Sequence, residues 1–227
     1  MEITYYGHAC FVAQLGGKKL LFDPFIRYNE LAKHIDWQKI EADYILLSHG
    51  HEDHVADAFD IAQRTGAKLV SNYEIVSWFK AKGIANGHEM NHGGQWKFDF
   101  GLVKYVNAVH SSVLPDGTYG GNPGGFVVTG DEGTFYFAGD TALTMDMKLI
   151  PLTSPKLDVA LLPIGDNFTM GIKDAVVAAQ FVEVTKVIGL HYDTFGYIKI
   201  DHQEAIRQFA DAGIELLLPA IGATITI

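Results

Sequence analysis

The amino-acid sequence predicts an α/β fold in which mixed β-sheets are covered by helices. Three observations carry that reading. Apolar runs at residues 11–15 and 19–22, and again at 126–129 and 134–138, are joined by short glycine-bearing turns and read as β-hairpins. Between and after the hairpins, short apolar runs alternate with segments of helical period. Finally, several apolar runs end on or run into a polar residue of one kind: His49, His110, Asp140 and His191. In open α/β sheets the carboxyl ends of strands gather along an edge, and ligand sites form there.

Each element has a local cause. Residues 2–6 alternate weakly and read as a strand. The first hairpin turns at Gly16-Gly17 and stops at Asp23-Pro24, because proline cannot donate to a strand ladder. Ile45, Leu46 and Leu47 form a short buried strand that runs into Ser48. Residues 55–64 place Val55, Phe59 and Ala62 on one helical face, and Gly66 ends that helix. Residues 68–70 make a strand, and Asn72 caps a helix carrying Ile75, Val76 and Phe79 that Gly83 ends. The stretch around His88 and His92 reads as a polar, glycine-rich loop. Residues 102–109 are a strand. The second hairpin ends at Gly139-Asp140, as the first ends at Asp23, which points to an internal duplication. Residues 158–162 and 187–190 are strands around a helix at 173–184, with Val176, Ala179 and Val182 or Phe181 inward. Asp201 and Glu204 are spaced as a capping box for a helix with Ile206, Phe209 and Ala210 inward, closed by Gly213. Residues 216–218 are the last clear strand.

Composition narrows the function classes. A chain of 227 residues, 48% hydrophobic, without a linker or low-complexity tract, is expected to form one domain over 1–227. No apolar run approaches the roughly 18 residues of a membrane span. The first residues carry neither a basic region nor a cleavage site, so no signal peptide is expected. The single Cys10 forms no internal disulfide, and a reducing cytoplasm is the expected compartment. A formal charge of −10 repels a phosphate backbone at long range. The expected partner is a small molecule, with no nucleic acid and no membrane; a homo-oligomer is left open.

The stretch Ser48-His49-Gly50-His51-Glu52-Asp53-His54 carries the chemistry. A strand cannot continue through it without burying charge, so the cluster belongs on the loop beyond. His49 and His51, two apart, can face one centre; Asp53 and His54, where the chain turns into a helix, can face a second. Imidazole and carboxylate are donors that borderline divalent metals prefer.

His-x-His-x-Asp-His after an apolar strand resembles the signature of the metallo-β-lactamase superfamily. Tyr6-Gly7-His8-Ala9-Cys10 and Phe22-Asp23-Pro24 are similar to its small bacterial metal-dependent hydrolases, relatives of the ascorbate-phosphate lactonases. The resemblance implies a four-layer αβ/βα sandwich, two mixed β-sheets flanked by helices, over nearly the whole chain. It implies that His49, His51 and His110 bind one divalent metal ion, that Asp53, His54 and His191 bind a second, and that Asp140 bridges them. Zinc is the first expectation, manganese or nickel the alternatives. Two ions about 3.5–4 Å apart lower the pKa of a shared water toward neutrality. The resemblance thus implies attack by a metal-bound hydroxide, with Asp53 also able to accept a proton.

The Gly-His-Ala pattern implies that His8 stands near the metals, orienting a ligand or touching substrate, so His8 joins Asp53 as a catalytic candidate. Asp166 and Asn167 follow a strand end and could orient a metal-bound histidine; a polar turn before the next helix is the alternative. Loops 24–40 and 111–125 are long enough to wall a pocket. Arg27 could meet an anionic substrate group, with a solvated arginine as the alternative. Glu52 receives no role, and His34, His88, His92 and His202 are surface or structural. No cysteine stands near a ligand position, unlike many true β-lactamases of this superfamily. The expected activity is dinuclear metal-dependent hydrolysis of a small, anionic ester, lactone or phosphoester. The alternatives are a mononuclear-iron oxidoreductase and a non-catalytic metal-binding or assembly protein.

Overall fold

A computed structural model describes residues 1–227. The chain first lays down β1 (Glu2–Gly7), β2 (Cys10–Leu15) and β3 (Lys18–Phe22) as an antiparallel meander. It then adds β4 (Tyr44–Leu46), β5 (Lys68–Asn72) and β6 (Gly87–Met90) in parallel beside β3. The second sheet repeats this plan. Here β7 (Gln95–Phe98), β8 (Gly101–Asn107), β9 (Gly124–Gly130) and β10 (Gly133–Phe137) are antiparallel, and β11 (Val159–Pro163), β12 (Lys186–Leu190) and β13 (Glu215–Leu217) follow in parallel. The last strand, β14 (Thr224–Thr226), returns to the first sheet and pairs antiparallel with β1.

With β14 in place, both seven-stranded sheets read antiparallel three times and then parallel three times. In this order β3 corresponds to β10; Asp23 follows the first by one residue and Asp140 the second by three. The repeated topology agrees with the duplication expected from the two hairpins.

Three apolar clusters define four layers. The largest lies between the sheets and takes Phe11, Leu20, Phe22 and Leu46 from one and Phe126, Phe135, Phe137 and Leu161 from the other. A second covers the outer face of the first sheet with α1 (Glu52–Val55), α2 (Ala58–Thr65) and α3 (Tyr73–Ala81). The third packs α4 (Ile150–Thr153), α5 (Ile172–Phe181) and α6 (His202–Asp211) on the second sheet. This is the helix–sheet–sheet–helix sandwich that the resemblance implied.

Aromatic packing locks the sheets directly beneath the strand ends. Phe22 stacks on Phe11 at 4.4 Å and meets the edge of Phe137 at 5.3 Å. Phe22 is the residue before Asp23, and Phe137 lies three before Asp140. The core thus fixes both aspartates relative to each other through contacts worth about 0.5–1.5 kcal/mol per aromatic pair beyond area burial.

Several elements differ from the sequence reading. The helix expected over 55–64 is broken, because buried Asp57 turns its carboxylate back to the backbone amides of Ile26 and Arg27. In α6 the inward residues are Ala205 and Phe209, while Ile206 and Ala210 face solvent. In α5, Ala175, Ala178 and Ala179 are buried and Val176 is half-buried. The expected loop around His88 forms β6, and β7 follows it; both are edge strands, as is β14. An edge strand bonds on one side only and packs little of its surface, so it needs no alternating apolar pattern.

Candidate metal centre

The site forms where the strand ends of both sheets meet. His49 follows β4 by a short step, Asp140 lies just beyond β10, His191 just beyond β12, and His110 beyond β8. His51 precedes α1, while Asp53 and His54 lie in its first turn. Two direct links hold the sheets together here. The His191 amide donates to the carbonyl of His8 at 2.9 Å, and the Gly124 amide donates to the carbonyl of Ser48 at 3.0 Å. His8, Asp23 and His191 all have φ in the left-handed region, at +56°, +39° and +54°. Non-glycine residues held there store strain of the kind that clusters at functional sites. Gly139 has φ +62°, and a β-carbon on it would sit 2.6 Å from the Ser48 β-carbon. Only glycine lets the two sheets approach this closely beside Asp140.

Two donor groups result. One comprises His49, His51 and His110, with donor atoms within 4.8 Å of one another. The other comprises Asp53, His54 and His191, together with His8. Asp140 stands between them. Its Oδ2 lies 3.0 Å from His191 Nε2, 3.4 Å from His54 Nε2, 3.6 Å from His110 Nε2 and 4.0 Å from His49 Nε2. Glu52 is exposed and points away.

Behind the cluster, Asp23 sets the tautomers. It is fully buried and accepts from the Ser48 amide at 2.8 Å, the Ser48 hydroxyl at 2.5 Å and His54 Nδ1 at 2.8 Å. With its proton given to Asp23, the Ser48 oxygen must accept from His49 Nδ1, 3.0 Å away. In the neutral rings, both His49 and His54 therefore carry their free lone pair on Nε2, aimed into the cluster. His49 Nε2 faces His51 Nδ1 at 3.0 Å.

A cation fits this arrangement. His54 Nε2 and Asp140 Oδ1 are buried with no hydrogen-bond partner. Buried polar atoms are rarely left unpaired, and a bound cation is one remedy. The donor set, imidazole-rich with carboxylates, is the type that suits zinc and its neighbours.

Electrostatics divide the cluster. Burial, reinforced by His54, holds His49 well below the ordinary imidazole range, and burial also lowers His51 and His110. At His54, burial opposes the charge, but Asp140 and Asp53 outweigh it and raise the pKa well above the ordinary value. Burial likewise opposes ionisation of Asp53 and Asp140. Neighbouring imidazoles prevail, led by His54 at Asp53 and by His191 at Asp140, and hold both below the usual carboxylate range.

The family described as beta-lactamase superfamily domain matches residues 2–191. The chain belongs to that family. It is 58% identical over its whole length to a UPF0173 metal-dependent hydrolase of Flavobacterium johnsoniae, and 56% identical to one of Christiangramia forsetii; each match covers 100% of both chains. Among solved structures, a metallo hydrolase of the hyperthermophilic archaeon Ignicoccus hospitalis is 34% identical. It superposes with a TM-score of 0.89 over 99% of this chain and 97% of that one. The chain is thus a β-lactamase superfamily member with the fold and the clustered donors of a metal-dependent hydrolase.

Within this superfamily member, the geometry bears on three places where the sequence left alternatives open. His8 is buried, 1% exposed, and does not line the cavity. Burial, followed by the charge of His191, lowers its pKa to about 3. The neutral ring has one N–H, and Asp53 can only accept. Nε2 therefore donates to Asp53 Oδ2 at 3.1 Å, and Nδ1 accepts from the Thr194 hydroxyl at 3.0 Å. His8 holds Asp53 in place from behind instead of touching substrate. Arg27 is pinned elsewhere, with Nε on Asp57 at 3.1 Å and Nη2 on Asp60 at 2.7 Å, and its guanidinium lies over Trp37. Its charge is spent on the α2 region. Asp166 and Asn167 make a local turn, in which the Asn167 amide donates to Asp166 Oδ1 at 2.7 Å, and neither orients a histidine. They line a neighbouring cavity of about 440 Å³.

The remaining histidines stay outside the cluster. His34 reaches the Ile221 carbonyl, His88 lies between Trp96 and Phe98, His92 meets the Pro123 carbonyl, and His202 pairs with Asp193. The residue that sequence reasoning passed over is Asp23. Its trace was present, since it ends the first hairpin as Asp140 ends the second.

Asp23→Asn would keep the volume but remove the acceptor that fixes His49 and His54. Metal affinity should fall about 10–100-fold, the usual loss when an orienting carboxylate is removed. Competitive chelator titration measures it, and far-ultraviolet dichroism should remain that of the parent.

Proposed function

We propose that the chain is a dinuclear metal-dependent hydrolase of a small ester, lactone or phosphoester. His49, His51 and His110 would hold one ion, Asp53, His54 and His191 the other, and Asp140 both. The observation that carries the reading is the position of Asp140 Oδ2 within 4.0 Å of one imidazole nitrogen or more in each group. Two divalent cations on such a set supply Lewis acidity toward a substrate oxygen and acidify a coordinated water.

The chain's own residues supply the rest. Asp53, 27% exposed at its side chain, opens to the cavity as an anionic donor whose basicity the neighbouring imidazoles reduce; His8 fixes its orientation. A cavity of about 510 Å³ adjoins the cluster, within the size range of small-molecule sites. Zinc suits the donors best, with manganese or nickel as alternatives.

Nucleic acid is a poor fit to this reading. The formal charge is −10, and none of the nine residues lining the cavity is a lysine or arginine. No helix is long and apolar enough to cross a membrane. The lone, buried Cys10 suits a cytoplasmic protein.

Elemental analysis should find about two divalent ions per chain, as in two-metal hydrolases. Asp140→Ala should lose both, while His34→Ala should keep them. His51→Ala should abolish metal-dependent hydrolysis of chromogenic esters, lactones or phosphodiesters. A stoichiometry fixed at one, whatever metal is added, would contradict the reading.

Proton competition gives a second expectation. His54 has a raised pKa, so at neutral pH a cation must displace its proton. His49, held low, has none to lose. Metal affinity should therefore weaken as the pH falls. Calorimetry in buffers of different ionisation enthalpy should register net release of protons on binding near pH 7.

A further inference from the structure

The cavity beside the cluster has two unlike sides. One is the donor set with Ser111. The other is aromatic, made by Phe168, Phe195 and Tyr197. These rings come from two separate segments. Phe168 sits in the loop closed by the Gly165–Gly171 bridge, and Phe195 and Tyr197 sit in the loop after His191.

Both loops are held in shape. The Asp193 amide donates to the Ile198 carbonyl at 2.7 Å, and Asp193 Oδ1 accepts from the Ile200 amide at 3.1 Å. Phe195 is set against His8 at 5.3 Å, edge to face, and Phe168 meets Tyr197 at 6.4 Å with planes 82° apart. Phe168 and Tyr197 nonetheless remain 49% and 80% exposed. Aromatic side chains have few rotatable bonds, so rings carried on a defined backbone path present contact area at little entropic cost.

No cation faces these rings within the cavity. Its lining holds no lysine or arginine, and Arg27 is engaged by Asp57 and Asp60. The part of a substrate remote from the reacting bond therefore meets aromatic carbon and no fixed positive charge. A carboxylate or phosphate placed there would find no cation among the lining residues to pair with.

We infer that this site selects substrates whose non-reacting part is an uncharged aryl or similarly flat apolar group. Phe168 and Tyr197 are then the specificity-determining contacts. This departs from the anionic substrate expected from the sequence, and Arg27, which could have met such a group, is engaged by Asp57 and Asp60. It rests on the hydrolase reading only for the bond that breaks.

The test uses three hydroxamates as metal-anchored probes, with the metal-loaded protein and calorimetric binding as the readout. Phenylacetohydroxamic acid should bind about tenfold tighter than acetohydroxamic acid, the effect expected of good ring contacts. Succinic monohydroxamic acid, which adds a carboxylate, should bind no tighter than acetohydroxamic acid. In Phe168→Ala/Tyr197→Ala the phenylacetyl-to-acetyl ratio should collapse toward one, while in Tyr73→Ala, an exposed ring elsewhere, it should stay. Tightest binding of the succinyl probe, an unchanged ratio in the double variant, or no binding of any probe would overturn the inference. Hydrolysis of 4-nitrophenyl phenylacetate, run alongside, separates the two ideas. The expected ranking without turnover of this ester or of chromogenic lactones and phosphodiesters would sustain the aryl preference and remove the hydrolase reading.

Discussion

A carboxylate buried among imidazoles is the constraint on which this molecule turns. Asp140 is 3% exposed, yet His191 and His54 hold its carboxyl below the usual carboxylate range, and four imidazole nitrogens lie within 4.0 Å of one of its oxygens. Burying such a charge without compensation costs several kcal/mol. The fold must therefore deliver histidines from both sheets to one point. It does so by ending β4, β8, β10 and β12 at one rim and by clamping that rim from below with Phe22 and Phe137. Gly139 permits the close approach, and strained backbone at His8, Asp23 and His191 turns the chain there.

Asp23 and Asp140 follow corresponding strands in two sheets of the same pattern. Their environments have sent them in different directions. Asp140 faces the Nε2 atoms of the donor groups. Asp23 faces the opposite, Nδ1 side of His54 and, through Ser48, of His49. Burial raises the Asp23 pKa even though His54 and Ser48 work against it, whereas at Asp140 the imidazoles win. One repeated strand ending thus provides both the carboxylate at the centre and the carboxylate that aims the rings toward it.

Much of this was legible in the sequence. The polar endings after apolar runs located His49, His110, Asp140 and His191 at one rim, because strand direction alone sends such residues to the same edge. The histidines left aside also lie apart from the cluster. What the sequence concealed were pairings between distant segments. Arg27 looked available until Asp57 and Asp60, some thirty residues on, claimed it. His8 could orient a ligand or touch substrate, and only the distant Thr194 and Asp53 that enclose it select the first. The edge strands β6, β7 and β14 lack a periodic pattern because half of their surface has nothing to pack against. The aromatic side of the cavity was invisible for a simpler reason. Phe168, Phe195 and Tyr197 meet only through loops whose paths depend on the turns at Gly165 and Asp193.

The account's central claim is that Asp140 joins two cations. Anomalous diffraction from crystals grown with zinc, collected on both sides of the absorption edge, tests it most directly. The account predicts two peaks, one among His49, His51 and His110 and one among Asp53, His54 and His191, each within coordination distance of Asp140. A single peak, or two peaks of which one lies beyond the reach of Asp140, would contradict it.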